Sequence, residues 1–173
     1  MFVRMLTTAL VGLGSVAYAA DSIVIDNSTV PAMGKVAAGS ATSTFTVDGS
    51  TGAVVRATGN AVRVNSPGTV STPTITVTCA PCNGNAASRL MTVTVTSTGS
   101  GRATLSSFTR TNMSGGVTFG GATTGSPLIF TIQFPSGSGT STASFKLGMT
   151  VQVANSGATG VRSLPYQIST SRP

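Results

Sequence analysis

Apolar and polar residues alternate along most of this 173-residue chain. The longest run sets Ala143, Phe145, Leu147, Met149, Val151 and Val153 at every second position, with mostly polar residues between them. Leu128, Phe130, Ile132 and Phe134 repeat the pattern, as do Ile75, Val77 and Cys79, and Met91, Val93 and Val95. Shorter pieces are Phe45 with Val47, Val54 with Arg56, Val62 with Val64, and Leu164, Tyr166 and Ile168. A period of two places alternate side chains on one face, which predicts half-buried strands. Short strands are also expected over 103–108 and 117–119. Turn-forming clusters divide these runs: Asp48-Gly49, Thr58-Gly59-Asn60, Pro67-Gly68, "STGSGR", "PSGSGTS" and "ANSGATG". Roughly seven to ten short strands separated by turns predict an all-β chain folded as an Ig-like antiparallel β-sandwich. An outer-membrane barrel also alternates, but it calls for aromatic girdles, and this chain has two Tyr and no Trp. The pattern shows no fixed repeat and no linker, so one domain is expected.

The first twenty residues depart from alternation. "MFVRMLTTALVGLGSVAYAA" carries one charge, Arg4, then an apolar run from Met5 to Ala17 ending in Ala17-Tyr18-Ala19. This is the layout of a secretory signal peptide, and the run is too short to span a bilayer. The small-x-small pattern sets the cut between Ala19 and Ala20. A cut one residue later would put bulky Tyr18 where a small side chain is wanted. Residues 1–19 are thus expected to leave, and 20–173 to form the exported domain, with no integral membrane segment. Export leads to the periplasm, the cell surface or the medium, where disulfides persist.

Composition agrees with this reading. Charged residues make up 8% of the chain, against about 25% in ordinary globular domains. Thr and Val favour strands, and Gly, Ser and Asn favour turns. The net charge of +7 comes from a shortage of acids, since the basic residues are scattered from Arg4 to Arg172. Nucleic-acid binders instead cluster their charges and add stacking aromatics, so no nucleic-acid partner is expected.

The two cysteines stand in "TITVTCAPCNGN" as Cys79 and Cys82. A redox dithiol of this spacing sits at a helix N-terminus in a βαβ setting, whereas Cys82 is followed by the turn signal Asn83-Gly84-Asn85. A zinc site needs three or four protein ligands, and the chain has two Cys and no His. A short structural disulfide fits best, with Cys79 ending a strand and residues 80–89 forming the loop of a hairpin. Closing so small a ring contributes only about 2 kcal/mol, enough to shape a loop but not to hold a fold.

The usual catalytic side chains are missing. Without His or Glu no Ser-His-Asp triad can form. The only acids are Asp21, Asp26 and Asp48. The first two lie in an N-terminal extension, and the third sits in a turn that favours Asp for backbone reasons. Ser144 and Lys146 share a strand face, but that face is expected to be solvated. The glycine-rich stretches lack Gly-Lys-Ser/Thr and read as turns. No enzyme activity and no cofactor are expected.

The stretch "MGKVAAGSATSTFTVDGSTGAVVRATGNAVRV" resembles the opening of small secreted bacterial proteins in a domain-of-unknown-function family. That family is grouped with spore coat U and chaperone–usher pilin-like domains. The shared features are the Gly34 to Gly39 segment, the run from Thr46-Val47 to Thr51-Gly52, and a Tyr near the C-terminus, here Tyr166. The resemblance implies a pilin-like sandwich that acts as a structural subunit of a surface fibre or coat. Such subunits complete one another with an N-terminal strand. The partners implied are further copies of the chain, or a periplasmic chaperone and usher. The donor here would be residues 20–31, with Ile23 and Ile25 as anchors. An ordinary first strand of a complete domain is the other reading of the same residues. The alternative function is a soluble periplasmic or secreted binding or adhesin domain that works through its loops.

Overall fold

The computed structural model describes residues 21–26, 32–64, 70, 72–99, 101–137, 139–155 and 160–173. The signal-peptide expectation, with its cut between Ala19 and Ala20, lies outside the described residues, as do the Pro67-Gly68 turn and residues 27–31 of the N-terminal extension. In chain order the first strands are β1 (Ser22–Asp26), β2 (Ala32–Ala37), β3 (Ser43–Val47), β4 (Val54–Thr58), β5 (Val62–Val64), β6 (Thr74–Cys79) and β7 (Leu90–Ser97). They are followed by β8 (Ala103–Ser114), β9 (Thr118–Gly121), β10 (Thr124–Gly125), β11 (Leu128–Gln133), β12 (Ser141–Val153), β13 (Gly160–Ser163) and β14 (Tyr166–Ser171). The helical content among the described residues is one 3-10 turn, Ala87–Arg89.

The strands form an antiparallel sandwich, as the alternation predicts. The larger sheet runs β1-β6-β12-β3-β4, with β8 also paired to β12 and β10 to β8. The facing sheet runs β14-β7-β11-β9, and a small third sheet runs β13-β2-β5. Strand β12, the longest alternating run, is the hub. It pairs with β6 over Ser141–Lys146, with β3 over Met149–Val153, and with β8 from Ser144 to Val153. Its inner row from Ala143 to Val153 is buried against Phe130 and Ile132 of the opposite sheet. Phe130 and Phe145 meet edge-on across the interface, with ring centroids 5.1 Å apart, a geometry worth up to about 1.5 kcal/mol beyond area burial.

Two local features explain breaks in the pattern. Met33 and Val36 are both buried although three residues apart, because Gly34 takes a positive φ of 75° and shifts the alternation of β2. Gly49, in the turn between β3 and β4, lies so close to β12 that an added Cβ would stand 2.5 Å from the Gly148 nitrogen. The loop can therefore lie flat on the sheet only with glycine there.

Two expectations are corrected. The 80–89 segment is not a hairpin loop. The two edges of β6 are taken by β1 and β12, and those of β7 by β14 and β11. The segment therefore crosses from one sheet to the other. The strand expected over 103–108 runs on to Ser114, because its pairing with β12 continues past Arg110, which turns inward.

Candidate functional site

Strand β1 carries the two expected anchors. It pairs antiparallel with the outer edge of β6, setting Ile23 opposite Val77 and Ile25 opposite Ile75. Both anchors share the face that points to the core. They are not equally used: Ile23 packs against the core, whereas Ile25 keeps 37% of its surface exposed. Val24, on the outer face, is 51% exposed. Such a strand is held mainly by its backbone ladder: none of its side chains is among the fully buried core, and Ile23 alone packs against that core.

Cys79 and Cys82 form the expected disulfide, with Cα atoms 5.3 Å apart. Both are fully buried. The Cys82 amide donates to the Gly139 carbonyl at 3.0 Å, tying the loop to the start of β12.

A polar cluster sits where this loop meets both chain ends. The Asp21 carboxylate, one residue before β1, accepts from Arg172 Nε at 2.7 Å and from Arg172 Nη2. It also accepts from the Ala80 amide at 2.9 Å. Arg172 follows β14 and donates further to the carbonyls of Pro81, at 3.2 Å, and Ser88. Its Nη2 lies 3.5 Å from Cys79 Sγ. Partial burial pushes the Asp21 carboxyl up, but the hydrogen bonds from Arg172 and Ala80 outweigh it and hold the group below its usual range. The sequence pattern puts Asp21 in an extension and Arg172 among scattered bases. The two are 151 positions apart, and no local pattern links them.

A second missed residue is Arg110. It is only 6% exposed and has its carbonyl partners in the facing sheet and the segment that follows it. Its Nε donates to the Ala122 carbonyl at 2.9 Å, and its Nη2 reaches those of Gly120 and Gly121. Phe130 and Phe119 take the cation on their faces at 5.1 and 5.5 Å. Desolvation lowers its pKa. A signal existed: Arg110 lies two residues after Phe108, in register with an inward face.

On the outer face of the larger sheet lies a hollow of roughly 420 Å³, lined among others by Thr46, Thr109, Thr111, Thr150, Asp48 and Val55. Asp48 shapes its rim: one carboxylate oxygen accepts from the Ser50 and Thr51 amides and the Thr51 hydroxyl. These bonds, led by the Thr51 amide, lower its pKa. Ser144, which shares a strand face with Lys146, pairs through its Oγ with Ser114 Oγ at 3.0 Å. Among the described residues no group of three His, Cys, Asp or Glu side chains is placed to hold a metal ion, and no helix is long and apolar enough to cross a membrane.

Comparison with protein-family models, curated proteins and solved structures finds no match.

Proposed function

We propose that the chain is a non-enzymatic structural subunit of a bacterial surface fibre or coat, built on a pilin-like sandwich and assembled by exchange of β1. The observation that carries this reading is the state of β1. It is an N-terminal edge strand with one pairing partner, exposed apolar side chains and little core of its own. The same backbone ladder on β6 could be made by β1 of another copy, because the contacts are identical in either case. Exchange is then decided by local concentration and by the path of the residues before β2, not by new contacts. Exposed edges are normally protected, and β1 protects β6 in the isolated chain. The export signal, the absence of His and Glu and the family resemblance fit the same role. A chaperone and usher would be the partners that keep the β6 edge covered before assembly.

The test is made on cells that express the chain. Surface material is released by shearing, run on a gel with and without boiling, and imaged by negative stain. Multimers that collapse on boiling, together with visible fibres, are expected. A single monomer band confined to the periplasm would sink the fibre reading.

The threonine-lined hollow favours a second reading, a soluble binding or adhesin domain. Removal of residues 20–30 without change to a folded, monomeric, ligand-binding chain would support it.

A further inference from the structure

The β1–β6 ladder does not set its own register. A period-two pattern specifies which face turns inward, and a slip of two residues keeps that face. In "DSIVID" a two-residue slip would still direct isoleucines to the core. Something else must select the observed register, in which Ser22 faces Thr78 and Asp26 faces Thr74.

The Asp21 cluster has the required properties. The Cys79–Cys82 ring presents the Ala80 amide and the Pro81 carbonyl just past the end of β6, beyond the last ladder pair of Ser22 with Thr78. The Pro81 carbonyl and the Ser88 carbonyl hold the Arg172 guanidinium, which turns its fork toward the incoming chain. Amide and fork together bind both oxygens of one carboxylate. Charge-assisted and bidentate bonds of this kind are directional as well as strong. Asp26 cannot substitute. It lies five positions on, so seating it there would turn Ile23 and Ile25 outward.

We propose that the disulfide loop and Arg172 form a carboxylate socket that selects the register of the N-terminal strand of this chain through Asp21. In the isolated chain the occupant is its own Asp21. Where the strand-exchange reading holds, the occupant in an assembly is Asp21 of a second copy. On this account the short disulfide serves recognition: it keeps the Ala80 amide and Pro81 carbonyl in place.

The experiment is hydrogen–deuterium exchange on the monomeric full chain, which reads the socket separately from assembly. Four proteins are compared: the native chain, Asp21→Asn, Cys79→Ser/Cys82→Ser, and the triple variant. Asp21→Asn is expected to speed exchange of the hydrogen-bonded amides of 22–26 by roughly fivefold while β12 stays protected. The double cysteine variant should do the same. The triple variant should be no faster than either, because all three changes empty one socket. Unchanged exchange in Asp21→Asn overturns the proposal, as does a triple variant in which the two effects multiply. If the cysteine variant does not fold, the cycle of Asp21→Asn with Arg172→Gln decides alone, by the same criterion of non-additivity. Asp26→Asn is the control and should leave exchange of these amides within roughly twofold of the native chain. Fibres without this coupling would refute the socket and keep the assembly reading. Coupling without fibres would do the reverse.

Discussion

Arg110 and Arg172 solve the same problem in opposite ways. The chain has three acids against ten basic residues, so most arginines have no carboxylate to meet. Arg110 does without one. It is buried, its Nε and Nη2 N–H groups go to backbone carbonyls, and its plane lies against two phenylalanine rings. Arg172 keeps 27% of its side chain exposed and takes an acid, Asp21. A cation held by carbonyls inside the sandwich can leave only if the strands that supply them separate. A cation shared with a terminal strand can be released while the sandwich stays whole. The first belongs to the scaffold and the second to a joint, and the division follows burial and partner type alone.

The sharpest way to break this contrast is at Arg110. Arg110→Ala would leave the carbonyls of Gly120, Gly121 and Ala122 without their donor and open a void beside Phe119 and Phe130. A loss of about 3 kcal/mol or more in urea-induced unfolding is expected, since an unpaired buried acceptor and a cavity both cost. Arg110→Met keeps most of the volume but loses the donors and the cation over the two rings, so about 1–3 kcal/mol is expected. If the methionine variant is as stable as the native chain, the guanidinium is serving only as filler, and the contrast fails on its buried side.

At Arg172 the expectation is smaller and local. A partly exposed ion pair contributes up to about 1 kcal/mol. Arg172→Gln should therefore shift the global unfolding midpoint little. Limited proteolysis should nevertheless cut earlier within residues 20–31, with the β2–β14 body left intact. A global loss as large as that of Arg110→Ala would show that β1 and the core unfold as one unit.

The contrast also shows where sequence reading succeeded. Burial of one face per strand was legible because β6, β7, β11 and β12 each write a period of two over several residues: Ile75-Val77-Cys79 and Phe145-Leu147-Met149 have no other stable reading. The Asp48 turn was legible because a carboxylate that caps its own turn acts within three residues. Pairing was not. Nothing local says that β6 lies beside β12 and not beside β7, because both choices bury the same faces, and the 80–89 loop reads equally well as a hairpin. The Asp21–Arg172 cluster was illegible on the same ground, as its parts come from three distant segments. Arg110 was hidden by a residue-type prior, since a charged side chain reads as solvated until its surroundings are known.

Acid separates the two arginines further. The Asp21 carboxyl titrates below its unfolded value of 3.8 in the folded chain. A group with a depressed folded pKa adds stability that is present above the unfolded value and is lost as pH falls through the folded one. The stability gap between the native chain and Asp21→Asn should therefore be constant at neutral pH and close below about pH 4. Asp48 is lowered too, so its protonation in acid also weakens the β3–β4 turn, and the comparison with Asp21→Asn is needed to isolate the joint. Arg110 has no carboxylate among its hydrogen-bonding partners, and the cost of Arg110→Met should not change across this window. A gap at Asp21 that survives full protonation would mean that the charge of the carboxylate is not what holds β1.

The smallest expected effect lies at Tyr166, which begins the strand that ends beside Arg172. Its ring meets Phe108 edge-on at 6.2 Å, and Phe108 stands two residues before Arg110 on β8. Tyr166 thus sits near the scaffold end of β14, with Arg172 at the joint end. Burial pushes its phenol up from 10.0 to about 12. A raised folded pKa means stability present below the unfolded value and lost as pH rises through the folded one. In the native chain the phenolate absorbance of Tyr166 should therefore appear only near pH 12. Because β14 is paired along its length with β7, loosening its Arg172 end should leave the Tyr166 end seated, and the Arg172→Gln variant should titrate at the same pH as the native chain. A titration that falls toward 10 in that variant would show that the joint reaches through β14 to the aromatic contact beside Arg110, and that scaffold and joint are one structure.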